Sequence, residues 1–229
     1  MAKLTWDNTG ERFYRTGVSE VALFPMKTAA EIAQDDTTVA GYTPYAKGVA
    51  WNGVTSIEEN PDGGDANDFY ADNIKYLSLR AVEDFGATIT AYQSPEEFDA
   101  CDGVASLTTG VKIGQQVRRP FGVVWKTQIG NDVDGIDHGY ELHVVYNATA
   151  SPSSKNYETV NDSPEPAELS WDIETTPIAV TGYKPTSHLV ISSLKATKAK
   201  LDALEAILYG SASAEPKLLL PDDLIAELA

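Results

Sequence analysis

Two stretches of strictly alternating side chains constrain the fold of this chain more than any other feature of its sequence. In residues 140–148 one face of an extended chain carries Tyr140, Leu142, Val144, Tyr146 and Ala148. In residues 167–174 one face carries Ala167, Leu169, Trp171 and Ile173. A period of two predicts half-buried strands, and a slip of one residue would expose Trp171, so the register is strongly specified. The turns predicted between the two strands are Ser151-Pro152 and residues 161–164.

Shorter runs of β-forming residues predict further strands at 18–24, 49–58, 74–81, 87–92, 111–113 and 121–127. Trp51 and Ile57, in the run 49–58, are the predicted core anchors. Ser94-Pro95-Glu96-Glu97 predicts a capping box that opens a short helix ending at Cys101-Asp102-Gly103. From Ser193 to Gly210 an apolar stripe formed by Leu194, Leu201, Leu204 and Leu208 predicts an amphipathic helix. The fold class is therefore mainly β (α+β): an antiparallel β-sandwich or barrel with a short flanking helix and a C-terminal amphipathic helix.

Composition excludes several functions. The 34 acidic against 17 basic residues give a formal charge of -17, which argues against autonomous binding of nucleic acid and against an anionic membrane surface. Solubility alone could account for this acidity. The single cysteine, Cys101, allows no intramolecular disulfide. No signal peptide or membrane span is recognisable, so we expect synthesis in a cytoplasm without export by a signal of its own.

No motif predicts catalysis or metal binding. Residues 130–141 place Asp132, Asp134 and Glu141 as in a calcium loop, but Gly130 replaces the first acidic ligand and the flanks predict strands, so a hairpin is favoured. His138, His143 and His188 lack metal-site spacing. Phosphate loops and nucleophile–base patterns are absent from the sequence. Core packing is favoured for the four Trp residues. The sequence thus predicts no catalytic residue, no cofactor and no metal, and the chain is not expected to be an enzyme.

Several segments in matching order carry a resemblance to a known family. They are HVVYNATASPSSKNYETVNDSPEP (143–166), LSWDIETTPIAVTGYKPTSHLVISS (169–193), KLDALEAILYG (200–210), YADN (70–73) and LLLPDD (218–223). Together they resemble the major tail proteins, or tail tube proteins, of long-tailed (siphovirus-type) bacteriophages. The resemblance covers about residues 65–229, since the N-terminal part matches less well.

The resemblance implies a structural virion protein located in the phage tail. It implies hexameric rings that stack into a tube, through which DNA passes into the host without specific binding. Implied partners are copies of the chain itself and the tape measure, tail tip and tail terminator proteins; no membrane is involved. A negatively charged lumen that repels DNA would then give the acidity a function. The alternative function is a carbohydrate- or receptor-binding β-sandwich module; a hydrolase would need a nucleophile and base that the sequence does not show.

We expect one β domain, 1–210, with a long loop or arm at 28–48, and an extension, 211–229, that docks on its own or a neighbouring subunit. The Arg118-Arg119 pair is interpreted first as strand-end charge and second as a partner for a neighbour's acids. Tyr42 and Tyr45 fit either an interface or a loop folded back on its own domain. The candidate subunit-interface residues are Tyr42, Tyr45, Arg118, Arg119, Leu218, Leu219 and Leu220.

Overall fold

A computed structural model describes residues 3–39, 41–153, 155–157, 159, 162 and 166–229. The described residues form fourteen strands and three α-helices. The strands are β1 (Tyr14–Pro25), β2 (Val49–Ala50), β3 (Val54–Glu59), β4 (Asp62–Gly63), β5 (Ala66–Ala71), β6 (Ile74–Arg80), β7 (Glu83–Asp84), β8 (Gly86–Ala91), β9 (Ala105–Thr108), β10 (Val111–Ile113), β11 (Phe121–Asn131), β12 (Gly135–Ala150), β13 (Leu169–Thr175) and β14 (His188–Ser192). The helices are α1 (Ala29–Ile32), α2 (Lys198–Leu208) and α3 (Pro221–Leu228). The prediction of a mainly β, antiparallel fold is confirmed.

The main sheet is built around β12. Its strand order is β2-β1-β11-β12-β13-β8-β3, and β14 also pairs with β12. Along one edge β12 pairs with β11; along the other it pairs first with β14, from Glu141 to Val145, and then with β13, from Ala148 to Ala150. The β11–β12 connection is a tight hairpin, as predicted for residues 130–141.

An inner core lies on one face of this sheet. It centres on three aromatic side chains, since the ring centroids of Trp51, Phe98 and Trp171 lie 4.5–5.4 Å apart. Strands from both ends of the sheet order contribute to it, including Leu23 of β1 and Ile89 of β8. The sheet therefore curls around a single apolar cluster. The prediction that all four Trp residues are in the core is wrong for Trp6, which is exposed.

An outer core lies on the opposite face of β1, β11 and β12, and the C-terminal helices cover it. Leu201, Leu204 and Leu208 of α2 are buried there, as the predicted stripe requires. Leu224 of α3 joins them. The helix begins only at Lys198, so the prediction that it starts at Ser193 is wrong, and Leu194 is exposed.

Because both faces of the sheet are covered, the description of residues 140–148 as a half-buried strand is also wrong. Leu142, Val144 and Tyr146 face the outer core as predicted, but Val145 is buried in the inner core. Ala148 faces the inner core instead of sharing the face of Tyr146. An extra residue in β12 between the pairs Val123–Val145 and Phe121–Ala148 shifts the alternation. Residues 169–173 follow their predicted alternation.

Two local predictions near the N-terminal half also need correction. Ser94 caps no helix: Glu96–Phe98 forms a single 3₁₀ turn whose N-cap, Pro95, makes no side-chain capping bond. The capping box occurs instead at Thr28 and Glu31, which open α1 within the segment 28–48 that shows no periodicity.

Of the turn predicted at 161–164, only Asp162 lies within the described residues.

Candidate assembly surface

Three of the seven predicted interface residues lie in the outer core of their own subunit. Tyr45, Leu218 and Leu219 are almost fully buried. The Tyr45 hydroxyl oxygen accepts the backbone N–H of Asn147 at 2.9 Å, and burial raises the pKa of Tyr45 to about 12. Their apolar surface is therefore used for packing within the chain, where the extension 211–229 lies against α2.

The other four candidates are half-buried. Arg118 donates to the Asp102 carboxylate at 3.2 Å and to the Ala150 carbonyl at 3.0 Å, so its charge is paired within the subunit. The backbone N–H of Arg119 donates to Ala100, and its side chain lines an open cleft beside residues 96–100. Tyr42 lies 5.9 Å from the Lys27 ammonium group, and Leu220 is the N-cap of α3. Tyr42, Arg119 and Leu220 remain partly exposed, and the assignment of all seven residues to an interface stays a prediction.

The strand predicted at 74–81 leaves the body of the protein, which its sequence alone does not indicate. β5 and β6 pair only with each other among the described residues, and every residue of both strands is exposed. Asp72 and Asn73 join them with φ angles of 50° and 62°. Two consecutive positive φ angles form the type I′ turn that matches the twist of a two-stranded ribbon, and Asp and Asn tolerate them.

The hairpin exposes a group of neighbouring apolar side chains. Phe69 pairs directly with Leu77, and Leu79 lies two residues further along the same face. Ile74 pairs with Ala71, which lies on the same face of β5 as Phe69, and Tyr76, at the register shift between these pairs, is 75% exposed. Five neighbouring apolar side chains in water are unusual for a soluble monomer and typical of an interaction site. The available sequence signal was that apolar residues occupy both phases of the alternation in 74–79.

An acidic neck joins the hairpin to the main sheet. In this neck β4 and β7 pair so that Asp62 lies opposite Asp84. Asp62 and Asp84 line a cleft, and Asp172 and Glu174 line the same cleft. Like charges on opposed residues repel one another, and the repulsion weakens when salt screens it. The candidate assembly surface thus consists of an apolar hairpin with a strongly negative base.

No family model matches this chain, and no curated protein matches it. Among solved structures, the chain is similar to one from the cryo-EM structure of an extracellular contractile injection system, the PVC sheath-tube complex in the extended state. The two chains are 12% identical over 72% of this chain and 99% of the other, with a TM-score of 0.30. A TM-score of this size carries no argument about the function of this chain. Within the described ranges, no helix is both long and apolar enough to cross a membrane.

Proposed function

We propose that this chain is a structural subunit that assembles with copies of itself into the rings and tube of a phage-type tail. The observation that supports this most directly is the β5–β6 hairpin, which exposes apolar side chains although both cores of the subunit are filled by its own residues. Burial of such an apolar surface against another molecule lowers the free energy, because the surface is removed from water.

The occupant that we propose for the hairpin is a second copy of the same chain. A two-stranded ribbon alone is marginally stable in water and has two free edges, so addition of strands or side chains from a neighbour would stabilise it. The resemblance to tail tube proteins, which includes the hairpin turn YADN, supports self-assembly as the source of that neighbour.

The finer parts of the proposal follow from the same resemblance. The subunits would form hexameric rings that stack into a tube and conduct DNA into the host, together with tape measure, tail tip and tail terminator proteins. The subunit would consist of one domain, 1–210, and an extension, 211–229, docked on its own α2. Carboxylates facing the lumen would repel DNA and let it pass. No catalytic activity is part of this proposal.

The test is electron microscopy of the purified protein at high concentration, with Leu77→Asp as the variant. Leu77 is exposed, so the substitution should leave the fold intact, but a carboxylate placed beside Phe69 cannot be buried without cost. We expect uniform rings or tubes for the parent chain and at least a tenfold lower yield for the variant.

Val117→Asp is the matched control because Val117 is equally apolar and more exposed, at 95%, but lies in the loop before β11. It should assemble as the parent chain does. Equal assembly of Leu77→Asp and the parent would contradict the role of the hairpin. A parent chain that stays monomeric even with tail tip proteins present would contradict self-assembly.

Exposed tyrosines on connecting segments favour the alternative, a carbohydrate- or receptor-binding module. Tyr183 is exposed in the loop between β13 and β14, and Tyr157 is exposed in the β12–β13 connection. Such rings can stack on sugars. A glycan array distinguishes the two functions, because the module requires saturable binding that Tyr183→Ala abolishes, whereas a tail subunit requires none.

A further inference from the structure

We infer that Glu59, His143 and His188 form a binding site for a divalent transition metal of the zinc class, which links the edge strand β3 to the centre of the sheet. These three residues bring one carboxylate oxygen and two imidazole nitrogens within 4.8 Å of one another. The inference concerns the folded subunit and does not depend on the proposed assembly.

The distances between the three donor atoms match a tetrahedral site. His143 Nδ1 lies 3.1 Å from His188 Nε2 and 3.5 Å from Glu59 Oε1, and His188 Nε2 lies 4.0 Å from the same oxygen. With metal–nitrogen and metal–oxygen bonds of about 2.0–2.2 Å, two ligands of a tetrahedral zinc ion are about 3.3–3.5 Å apart. A metal ion therefore fits between the three atoms with shifts of only a few tenths of an ångström at most contacts.

Strand pairing holds the two histidines in this position. β12 and β14 run antiparallel with His143 opposite Val190 and Val145 opposite His188, so the histidines are diagonal neighbours on one face. The carboxylate comes from the other end of the sheet order. Glu59 is the last residue of β3, where it pairs with Ala87 of β8. The curvature of the sheet brings this end over the β12–β14 pair.

Without a cation, the three ligand atoms cannot all be paired by hydrogen bonds with one another. Two nitrogens 3.1 Å apart can share only one proton, and an ionised carboxylate offers only lone pairs. A single hydrogen bond can therefore join only two of the three atoms. The third atom then faces a lone pair and has no proton to accept. A cation between them accepts a lone pair from each, which is the arrangement that imidazole and carboxylate ligands adopt around zinc.

Aromatic packing fixes the orientation of both rings. The Trp125 ring stacks on His143 at 4.8 Å between centroids and 4° between planes, and on His188 at 5.9 Å and 12°. The Phe85 ring also contacts His188, at 4.4 Å between centroids. The outer nitrogen of His143, Nε2, is buried and makes no hydrogen bond within the described residues. Stacking thus fixes the orientation of the ring, which in metal sites is usually fixed by a hydrogen bond to the outer nitrogen.

The exposure of the three ligand side chains also suits a cation. Glu141, two residues from His143 on the same strand face, is paired with Arg15, which donates two N–H groups to its carboxylate at 2.5 and 2.8 Å, so this ion pair adds no net charge beside the site. The side chains of the histidines are 10% and 15% exposed, whereas that of Glu59 is 43% exposed. A metal ion can therefore enter from the Glu59 side, where water would supply the fourth ligand.

Ligand chemistry selects the metal. Imidazole nitrogens favour zinc and related transition metals, while calcium and magnesium prefer sites with oxygen ligands only. Because the proposed ligands lie on β3, β12 and β14, the metal ion would cross-link parts of the sheet that are separate in strand order and stabilise the folded state over the unfolded state.

The test is metal binding by the full chain, purified without a histidine tag and dialysed against a chelator. We expect one Zn²⁺ per chain by calorimetry, the visible absorption of tetrahedral Co²⁺, and no binding of Mg²⁺. The melting temperature should rise by about 5–10 °C at a free zinc concentration about 100 times the dissociation constant.

Glu59→Gln is the primary variant. Glu59 is exposed and glutamine has the same size as glutamate, so the substitution should not disturb folding. His188→Gln is the second variant. Each should weaken zinc binding at least tenfold. The controls are Glu58→Gln, the exposed neighbour of Glu59 on β3, and His138→Gln, a histidine outside the site; both should bind zinc as the parent does. Absence of zinc binding by the parent chain overturns the inference. So does an affinity that Glu59→Gln lowers no more than the controls do.

Discussion

At the scale of single residues, the close approach of Gly122 and Leu218 explains how the C-terminal extension fits the sheet. A Cβ atom added to Gly122 would lie 2.2 Å from Leu218 Cδ2 and 3.2 Å from the Val145 carbonyl oxygen. Leu218 itself is fully buried. A glycine at the second position of β11 therefore provides the space into which the leucine of the extension packs.

We predict that Gly122→Ala lowers the free energy of unfolding by about 1–3 kcal/mol, because a methyl group inserted at this contact forces Leu218 out of its position. Gly114→Ala is the matched control, since a Cβ atom there meets nothing within 4 Å. It should be neutral or slightly stabilising. Urea unfolding of the three proteins measures the difference. Equal stability of Gly122→Ala and the parent would contradict the packing of Leu218 against β11.

At the scale of elements, side-chain hydrogen bonds tie helix α3 to the loop before β14. The Asp222 carboxylate accepts the Thr181 backbone N–H at 2.9 Å and the Thr181 hydroxyl at 2.7 Å. The backbone hydrogen bond is the larger cause, and together the two bonds lower the pKa of Asp222 below its ordinary value. Asp222 also lies in the first turn of α3, where a negative charge is favourable.

A carboxylate whose pKa is depressed in the folded state stabilises it fully above the unfolded-state pKa, about 3.9, and the effect is lost as the pH falls through the folded-state pKa. We therefore predict that Asp222→Asn lowers the melting temperature at pH 7 and that the difference from the parent shrinks steadily below about pH 4. Asp223→Asn, in the same turn, should show a smaller difference at pH 7. A difference between Asp222→Asn and the parent that does not change with pH would refute this linkage.

Elements with strong local patterns could be predicted from the sequence, and those set by tertiary contacts could not. Trp171 and Leu201 are buried as their periodicities require, because a strand or helix with one apolar stripe has only one face to bury. The alternation of β12 fails at Asn147, whose φ of 49° no sequence period reveals. Ser94 has the residues of a capping box but does not form one.

The same limit applies to the two candidate sites. The sequence predicts strand β6 and places apolar residues in both phases of its alternation, but whether they lie in a core or in water depends on the rest of the sheet. His143 and His188 are 45 residues apart in the sequence, and Glu59 precedes His143 by a further 84. Only the pairing of β12 with β14 and the curvature of the sheet bring the three together.

At the scale of the whole molecule, charge and apolar surface act in opposite directions. Each subunit carries a formal charge of -17, so copies repel one another at a distance. In the proposed assembly the hairpin would supply the short-range attraction, but its acidic neck places Asp62 and Asp84 next to that contact. Assembly must therefore overcome a repulsion that acts over the Debye length, about 10 Å at 0.1 M salt and about 3 Å at 1 M.

From this balance we predict that the yield of rings and tubes rises with sodium chloride between about 0.01 and 0.5 M, because screening weakens the repulsion while the apolar contact is little changed. Sedimentation and electron microscopy at constant protein concentration measure the yield. The double variant Asp62→Asn/Asp84→Asn removes the opposed carboxylates of the neck, so it should assemble at lower salt than the parent and depend less on salt. A yield that falls as salt rises would mean that ion pairs between subunits, rather than the apolar hairpin, hold the assembly together.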